Sequence, residues 1–294
     1  MCKKYIGVDL GAWYNKKNKT SIVILKEKAN RLEIEKIISK ETNLKTLKKE
    51  TNKEILNYEE KNRLLVEYLL EQNNSKQIII AIDAPFAIPA RLKGIEEKPY
   101  KLDKKYQHLQ QLKNPYLFDN SARFVMNTTK QTVLAPCATL VGALTSRMKH
   151  IIDNYKEKLN IVHEPVIIEK YKKLTVEVFP TATLYQLIKN KTHNNQYTYL
   201  KAYNKDQKEA NSFTKLISYK NTNWNKNTKE RMMALCKPFI KNLAEKYDEI
   251  QSDDDYDALI CALTAYFIGK EDGYLKPDQP KLFTNSFIYI PKIK

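Results

Sequence analysis

The sequence predicts an α/β fold whose mixed five-stranded sheet starts as an antiparallel meander, continues in parallel strands and is flanked by helices. Three observations predict it. Three strand-like segments joined by short linkers open the chain, a later apolar run is typical of a strand buried on both faces, and helical segments separate the later strands. Helix-connected strands that follow a meander give a mixed sheet.

The first three elements are the predicted strands of the meander. Residues 5–9 are mostly apolar up to a closing acid, Asp9. Residues 20–26 form a second apolar segment, and residues 31–39 set aliphatic side chains among charged neighbours. Linkers this short are typical of antiparallel neighbours.

The centre of the sheet is predicted from the next two segments. Residues 57–72 carry leucines on one side of a helix. Residues 78–82 form the continuous apolar run, which Asp83 closes and Pro85 stops. A helix between two strands allows them to pair in parallel, so we expect the first and fourth strands to lie side by side.

The second half of the chain adds helices around one further strand. Residues 252–269 give the strongest helix, because Ser252 suits the N-cap and Gly269 the position just past the end. The other predicted elements, in chain order, are irregular surface structure at 91–130, a helix at 135–155 beginning near Pro136, a fifth strand at 174–179 halted by Pro180, a helix at 229–246 and a short edge strand at 285–294.

Residues 189–227 are rich in Asn, Lys, Thr and Tyr and are predicted to form a polar, basic insertion. The chain shows no internal repeat and no long flexible linker, so we expect residues 1–294 to form a single domain.

Charge, cysteine spacing and hydropathy favour some classes of protein and exclude others. The net charge of +17 favours a polyanionic partner, nucleic acid first, although a solvated surface accounts for such charge equally well. The four cysteines are scattered without a C-x-x-C pair, as in a reduced, cytoplasmic protein, and give no zinc site. Neither a signal peptide nor a membrane-length apolar run is visible, so we expect no membrane contact.

Acids close several of the predicted strands. Asp9 shares a face of the first strand with Gly7, Asp83 ends the fourth, and Glu177 lies in the fifth. Asp254 and Asp257 are three residues apart, so both can lie on one side of the first turn of the last long helix. Ala258, Ala262 and Ala265 follow and let that helix pack close to a sheet.

Several like charges buried together call for cations between them. Carboxylate oxygens suit Mg²⁺ or Mn²⁺, and two such ions assist phosphodiester hydrolysis by activating water and stabilising the leaving oxygen. We therefore expect Asp9, Asp83, Asp254 and Asp257 to hold two ions and to act in catalysis together with Glu177.

Each acid also has a structural interpretation. Asp9 and Asp83 stand where turn or cap residues occur, and Glu177 could pair with a lysine. Asp253 and Asp255 are assigned to the helix macrodipole, while Asp257 lies deeper and fits that role less well.

These segments resemble a known family. "YIGVDLGAW", "IIIAIDAPFAIP", "LTVEVFPTATL", "DDYDALICALTAYFIG" and the closing "FIYIP" are similar to domain-of-unknown-function family 429, regarded as predicted nucleases of ribonuclease-H-like fold. The last helix also resembles that of Holliday-junction resolvases of the RuvC type, where an Asp-x-x-Asp pair binds metal. Such resolvases often pair, which leaves a homodimer open.

The resemblance implies roles for individual residues. Asp9 and Asp83 become the acids of the first and fourth strands, and Asp254 with Asp257 the helix pair. Glu177 matches a Glu-x-x-Pro element whose role is not established. Arg123, in "NSARFV", loosely matches an arginine expected in the middle of such proteins, where it could contact phosphate.

Two other functional classes remain open. "IGVDLGAW" also resembles the first phosphate loop of actin-like and sugar-kinase ATP-dependent phosphotransferases, but such enzymes need further glycine-rich turns, and this chain has six glycines. A non-catalytic nucleic-acid-binding protein is the other class, with the aromatic residues of the 189–227 insertion stacking on bases.

Overall fold

The computed structural model describes residues 2–12, 20–29, 31–39, 58–72, 74–131, 133–138, 141–193 and 224–293. Most of the predicted insertion, residues 194–223, lies outside the described residues. Within these ranges six strands form one sheet: β1 (Lys3–Asp9), β2 (Ser21–Lys28), β3 (Arg31–Ile38), β4 (Gln77–Asp83), β5 (Lys173–Val178) and β6 (Ile288–Tyr289).

The sheet has the order β3-β2-β1-β4-β5-β6. The first three strands pair antiparallel, and β4, β5 and β6 continue from β1 in parallel. The α/β fold class and the central pairing of β1 with β4 are therefore confirmed, in an arrangement consistent with ribonuclease-H-like proteins. The count of five strands was one short, because the short terminal segment predicted as an edge strand joins the sheet beside β5.

Helices cover both faces of the sheet. One core cluster joins the sheet to α1 (Tyr58–Glu71) and α3 (Gly142–Leu159). The other joins it to four helices, which are α2 (Asn120–Thr129), α4 (Pro180–His193), α5 (Lys226–Cys236) and α6 (Asp253–Ile268).

The helix bounds differ from the predicted ones where proline intervenes. The helix predicted at 135–155 begins only at Gly142, because the chain forms a turn around Pro136, in which the amide of Ala138 donates to the carbonyl oxygen of Ala135. The helix predicted at 229–246 ends at Cys236, because Pro238 has no N–H to continue the helical hydrogen bonds beyond Lys237, whose amide still donates to the carbonyl oxygen of Met233.

Two helices are more regular than the sequence predicted. Pro180 halts β5 as expected but also opens α4, where its missing N–H is harmless. Within the segment predicted as irregular, Asp119 caps α2 by accepting a hydrogen bond of 3.2 Å from the amide of Ala122.

None of the helices in the described ranges combines the length and apolarity that a membrane span requires.

Candidate active site at the carboxyl edge of the sheet

Two of the predicted acids lie side by side at the end of the central strands. In the parallel ladder of β1 and β4, Asp9 is the register partner of Asp83. Neighbouring strands are about 4.8 Å apart, and register partners in a parallel ladder share a face. Both acids are half-buried and follow Gly7 and Ala81 on the face that α6 covers. The structure thus brings together two carboxylates that are far apart in the sequence.

The first turn of α6 is fixed beside this pair by Asp255. Its carboxylate accepts hydrogen bonds from the amides of Gln251 (2.9 Å) and Ser252 (3.1 Å), completing a capping box. It also accepts a 2.8 Å bond from the hydroxyl of Ser21, which is the register partner of Asp9 in β2. Asp255, assigned from the sequence to the helix macrodipole, thus acts as a capping residue, and its bond with Ser21 places the start of α6 at the end of the sheet that carries Asp9.

Asp254 and Asp257 lie in the turn that Asp255 anchors, and both are half-buried. Since α6 runs from Ser21 toward Tyr5, which lies near Gly269, the N-terminal turn faces the carboxyl ends of β1 and β4. The four predicted metal ligands consequently share one end and one face of the sheet.

Close contact between α6 and β1 sets the distance between these elements. A Cβ atom added to Gly7 would lie 2.0 Å from the carbonyl oxygen of Ala258 and 2.2 Å from the amide nitrogen of Ala262. Only glycine allows this approach. The small residues predicted to let α6 pack against the sheet do so.

A buried arginine that sequence reasoning did not identify holds the chain just after Asp9. Arg147 of α3 is 1% exposed. It donates from Nη1 to the carbonyl oxygen of Gly11 (2.5 Å) and to the hydroxyl of Thr20 (2.8 Å), and from Nε to Asn62 (2.9 Å). The hydroxyl of Thr20 in turn accepts from the amide of Gly11 at 3.2 Å. This network fixes the exit from β1, and with it the position of Asp9.

Glu177 belongs to the other face of the sheet from Asp9 and Asp83, although it lines the same cavity as Asp83. Its register partner is Ile82, so by alternation it belongs to the opposite face of the sheet from Asp83. Its Oε2 atom accepts hydrogen bonds from the amide of Phe86 (3.1 Å) and the hydroxyl of Ser286 (3.3 Å). Burial raises the pKa of Glu177 well above its ordinary value, and the nearby charges of Asp119 and Asp83 raise it further.

Asp83, Glu177 and Asp119 line one cavity of about 170 Å³. Apolar side chains form most of its wall, among them Phe118, and the exposed Leu134 lies at its rim. Burial also raises the pKa of Asp119. Sequence analysis did not identify Asp119; the signal was an acid directly before a helix, hidden in a segment without clear periodicity.

Arg123, the residue expected to contact phosphate, is 5% exposed. Its Nε donates to the carbonyl oxygen of Leu112 (2.9 Å) and its Nη1 to the side-chain oxygen of Asn120 (3.0 Å). Burial lowers the pKa of Arg123, while Asp119 and Glu97 oppose that shift. Two of its nitrogen atoms therefore brace the segment that precedes α2.

Among the described residues, no three His, Cys, Asp or Glu side chains are grouped closely enough to hold a metal. Magnesium, however, is commonly bound by one or two carboxylates, and water molecules and substrate phosphates complete its coordination shell. The in-register pair Asp9 and Asp83 fits that mode of binding, with Asp254 and Asp257 at the same edge.

Comparisons with known proteins give one family and no named activity. A family model described as "Protein of unknown function (DUF429)" matches residues 7–282. No curated protein matches the chain. The crystal structure of the Aquifex aeolicus member of the Ppx/GppA protein family aligns with 98% of this chain and 93% of its own at 11% identity, with a TM-score of 0.21, which is too low to bear on fold or function.

Proposed function

Since the chain belongs to the DUF429 family, whose description names no activity, we propose a function from its own residues: a metal-dependent nuclease that hydrolyses phosphodiester bonds of DNA or RNA. The observation that carries the proposal is the register of β1 and β4, which sets Asp9 beside Asp83 at the carboxyl edge of the central strands. The capping contacts of α6 bring Asp254 and Asp257 to that same edge.

The chemistry follows from the donor set. Asp9 and Asp83 would hold Mg²⁺ or Mn²⁺, with Asp254 and Asp257 completing a second position, and the ions would supply Lewis acidity toward a scissile phosphate. The protein's own contribution is positional. Arg147 fixes the chain after Asp9, Asp255 fixes the first turn of α6, and the contact at Gly7 sets the spacing between strand and helix.

The basic composition supports a polyanionic substrate. The chain carries 51 Lys and Arg against 34 Asp and Glu. A net positive charge attracts a nucleic acid whose phosphates would be repelled by the acids alone. Charge and carboxylates together favour a nuclease over a protein that merely binds metal.

Asp9→Asn tests the proposal with little change in shape. Even residues that only orient a metal ligand change metal affinity or activity by 10–100-fold, so removing a ligand should lower Mn²⁺-dependent cleavage by at least about 100-fold. Cleavage is measured on labelled single-stranded, duplex and branched DNA and on RNA, in Mg²⁺ or Mn²⁺ and in EDTA. Mn²⁺ affinity, measured by calorimetry, should fall in parallel.

The matched control is Asp253→Asn, which changes an acid that is not a proposed ligand, and its cleavage activity is compared with that of Asp254→Asn. Both acids lie in the first turn of α6, so both changes alter the helix macrodipole alike, and we expect only Asp254→Asn to reduce cleavage. Full activity after both Asp9→Asn and Asp83→Asn, in proteins that unfold at the wild-type temperature, would refute the assignment. Nucleic-acid binding without cleavage under any divalent ion would identify a non-catalytic binding protein instead.

A further inference from the structure

A groove of about 640 Å³ adjoins the carboxylate cavity. Phe118 and Asp119 line both, so the groove lies next to the cavity that Glu177 and Asp83 line. Its lining also includes Lys98, Lys113 and Tyr116. Apart from Arg123, the lining residues belong to the segment between β4 and α2, which contains none of the proposed metal ligands.

Basic side chains outnumber acids in the groove by one: Arg91, Lys98, Lys113 and Arg123 line it together with Glu96, Glu97 and Asp119. The surrounding segment, residues 90–118, contains seven lysines and arginines against three acids. Arg91 and Glu96 neutralise each other in an ion pair of 2.7 Å. In the described parts of the chain, Lys98 and Lys113 form no ion pair, and both are exposed, which leaves their charges available to a ligand.

Apolar side chains are exposed in the same segment. Tyr116 is 50% exposed and Ile95 49%, and both line the groove. Leu92 (46%) and Leu117 (39%) belong to the same segment. An exposed cluster of this kind marks an interaction surface, and a tyrosine among lysines matches the way proteins stack bases while neutralising the phosphates between them.

We propose that this groove binds a single-stranded segment of nucleic acid and leads it to the carboxylate cavity, with Tyr116 stacking on a base and Lys98 and Lys113 contacting phosphates. The inference rests on the proposed nuclease function and adds a substrate class to it. A single strand is favoured because stacking on a side chain requires a base that is free of its duplex neighbours.

Binding is measured by fluorescence anisotropy with a labelled single strand and its duplex, in EDTA, so that no cleavage intervenes. Tyr116→Ala should weaken binding of the single strand by about 5-fold to 100-fold, because base stacking contributes that much per base. Tyr116→Phe should retain wild-type affinity, since the ring is kept. Lys113→Ala should reduce the slope of log affinity against log salt by about one.

The control is the double variant Ile167→Ala with Lys170→Ala. It removes one exposed apolar side chain and one exposed lysine. Both residues come just before β5, at the amino end of the parallel strands and so at the opposite end of the sheet from the groove, and their loss should leave binding unchanged. Equal affinities of Tyr116→Ala and this control for the single strand would overturn the proposal and would favour a protein as the partner of the groove. Tighter binding of duplex than of single strand would overturn it as well.

The two proposals fail separately. If the chain is not a nuclease, groove-dependent binding persists in EDTA while Mn²⁺ produces no cleavage. If the groove is not the binding site, Asp9→Asn still abolishes cleavage while Tyr116→Ala leaves both affinity and cleavage at wild-type values.

Discussion

Gly7→Ala is the substitution for which the structure predicts the sharpest effect. The added methyl group would lie 2.0 Å from the carbonyl oxygen of Ala258 and 2.9 Å from the carbonyl carbon of Cys261. Both are backbone atoms of α6, which cannot turn aside as a flexible side chain can. Ordinary contact begins at 3.4 Å, so the helix must move away from β1 by about 1.4 Å.

Overpacking a well-filled core costs 1–3 kcal/mol and occasionally more, and the rigid backbone at this site places Gly7→Ala at or above about 3 kcal/mol. For a chain of this length, about 2 °C of melting temperature is lost per kcal/mol, so thermal unfolding should shift down by roughly 6 °C or more. The same displacement carries Asp254 and Asp257 away from Asp9, and a misplacement of about 1 Å can reduce the rate by about 100-fold.

The control substitution is Gly142→Ala, at the first residue of α3. There the added methyl group meets nothing closer than the carbonyl oxygen of Cys137 at 3.9 Å. Alanine favours helix over glycine, so Gly142→Ala should be neutral or slightly stabilising. Differential scanning calorimetry compares the two variants. A melting temperature for Gly7→Ala within 2 °C of the Gly142→Ala variant would show that α6 is not held against β1 as described.

Three further predictions concern buried polar groups. Arg147→Lys should destabilise the protein by about 2 kcal/mol in urea unfolding, because lysine leaves acceptors such as the Gly11 carbonyl unpaired; an unchanged midpoint would contradict this. Burial lowers the pKa of His163 to about 4 from 6.5, so protonation should cost about 2–3 kcal/mol of stability as the pH falls through that interval, and His163→Phe should remove this loss. Burial raises the pKa of Glu177 above 4.5, so the protonated carboxyl stabilises the fold at low pH and this stabilisation is lost as the pH rises. The Glu177→Gln variant should therefore become more stable relative to wild type above about pH 4.5. For His163→Phe or Glu177→Gln, a plot of unfolding free energy against pH that runs parallel to the wild-type plot would contradict the assignment for that residue.

The central part of the site was predictable because local rules determine it. The apolar run before Asp83 has the composition of a strand buried on both faces, and a helix precedes it, so parallel pairing with β1 follows. The capping box at Ser252 and the small residues of α6 are likewise written in a short stretch of sequence. Side chains that alternate along a strand then decide which acids share a face.

The rest of the site depends on contacts between distant segments. Glu177 matched a sequence motif, yet its register beside Ile82 gives it a different face and different neighbours from Asp83. Asp119 and Arg147 gain their roles from partners that no periodicity reveals, such as Ser286 and Gly11. Pro180 correctly predicted the end of β5. Whether a helix begins at that proline depends on the packing of α4 against α6, which the local sequence does not show.

The edge strand β6 has a consequence for synthesis of the protein. Ser286, which donates to Glu177, and Ile288, which lines the cavity, come after every other described element in the chain. A ribosome therefore makes all the acids before it makes the residues that close the wall around three of them. A polypeptide released before Ser286 would contain every carboxylate of the site but would lack this wall and the buried core residues Phe287, Tyr289 and Ile290.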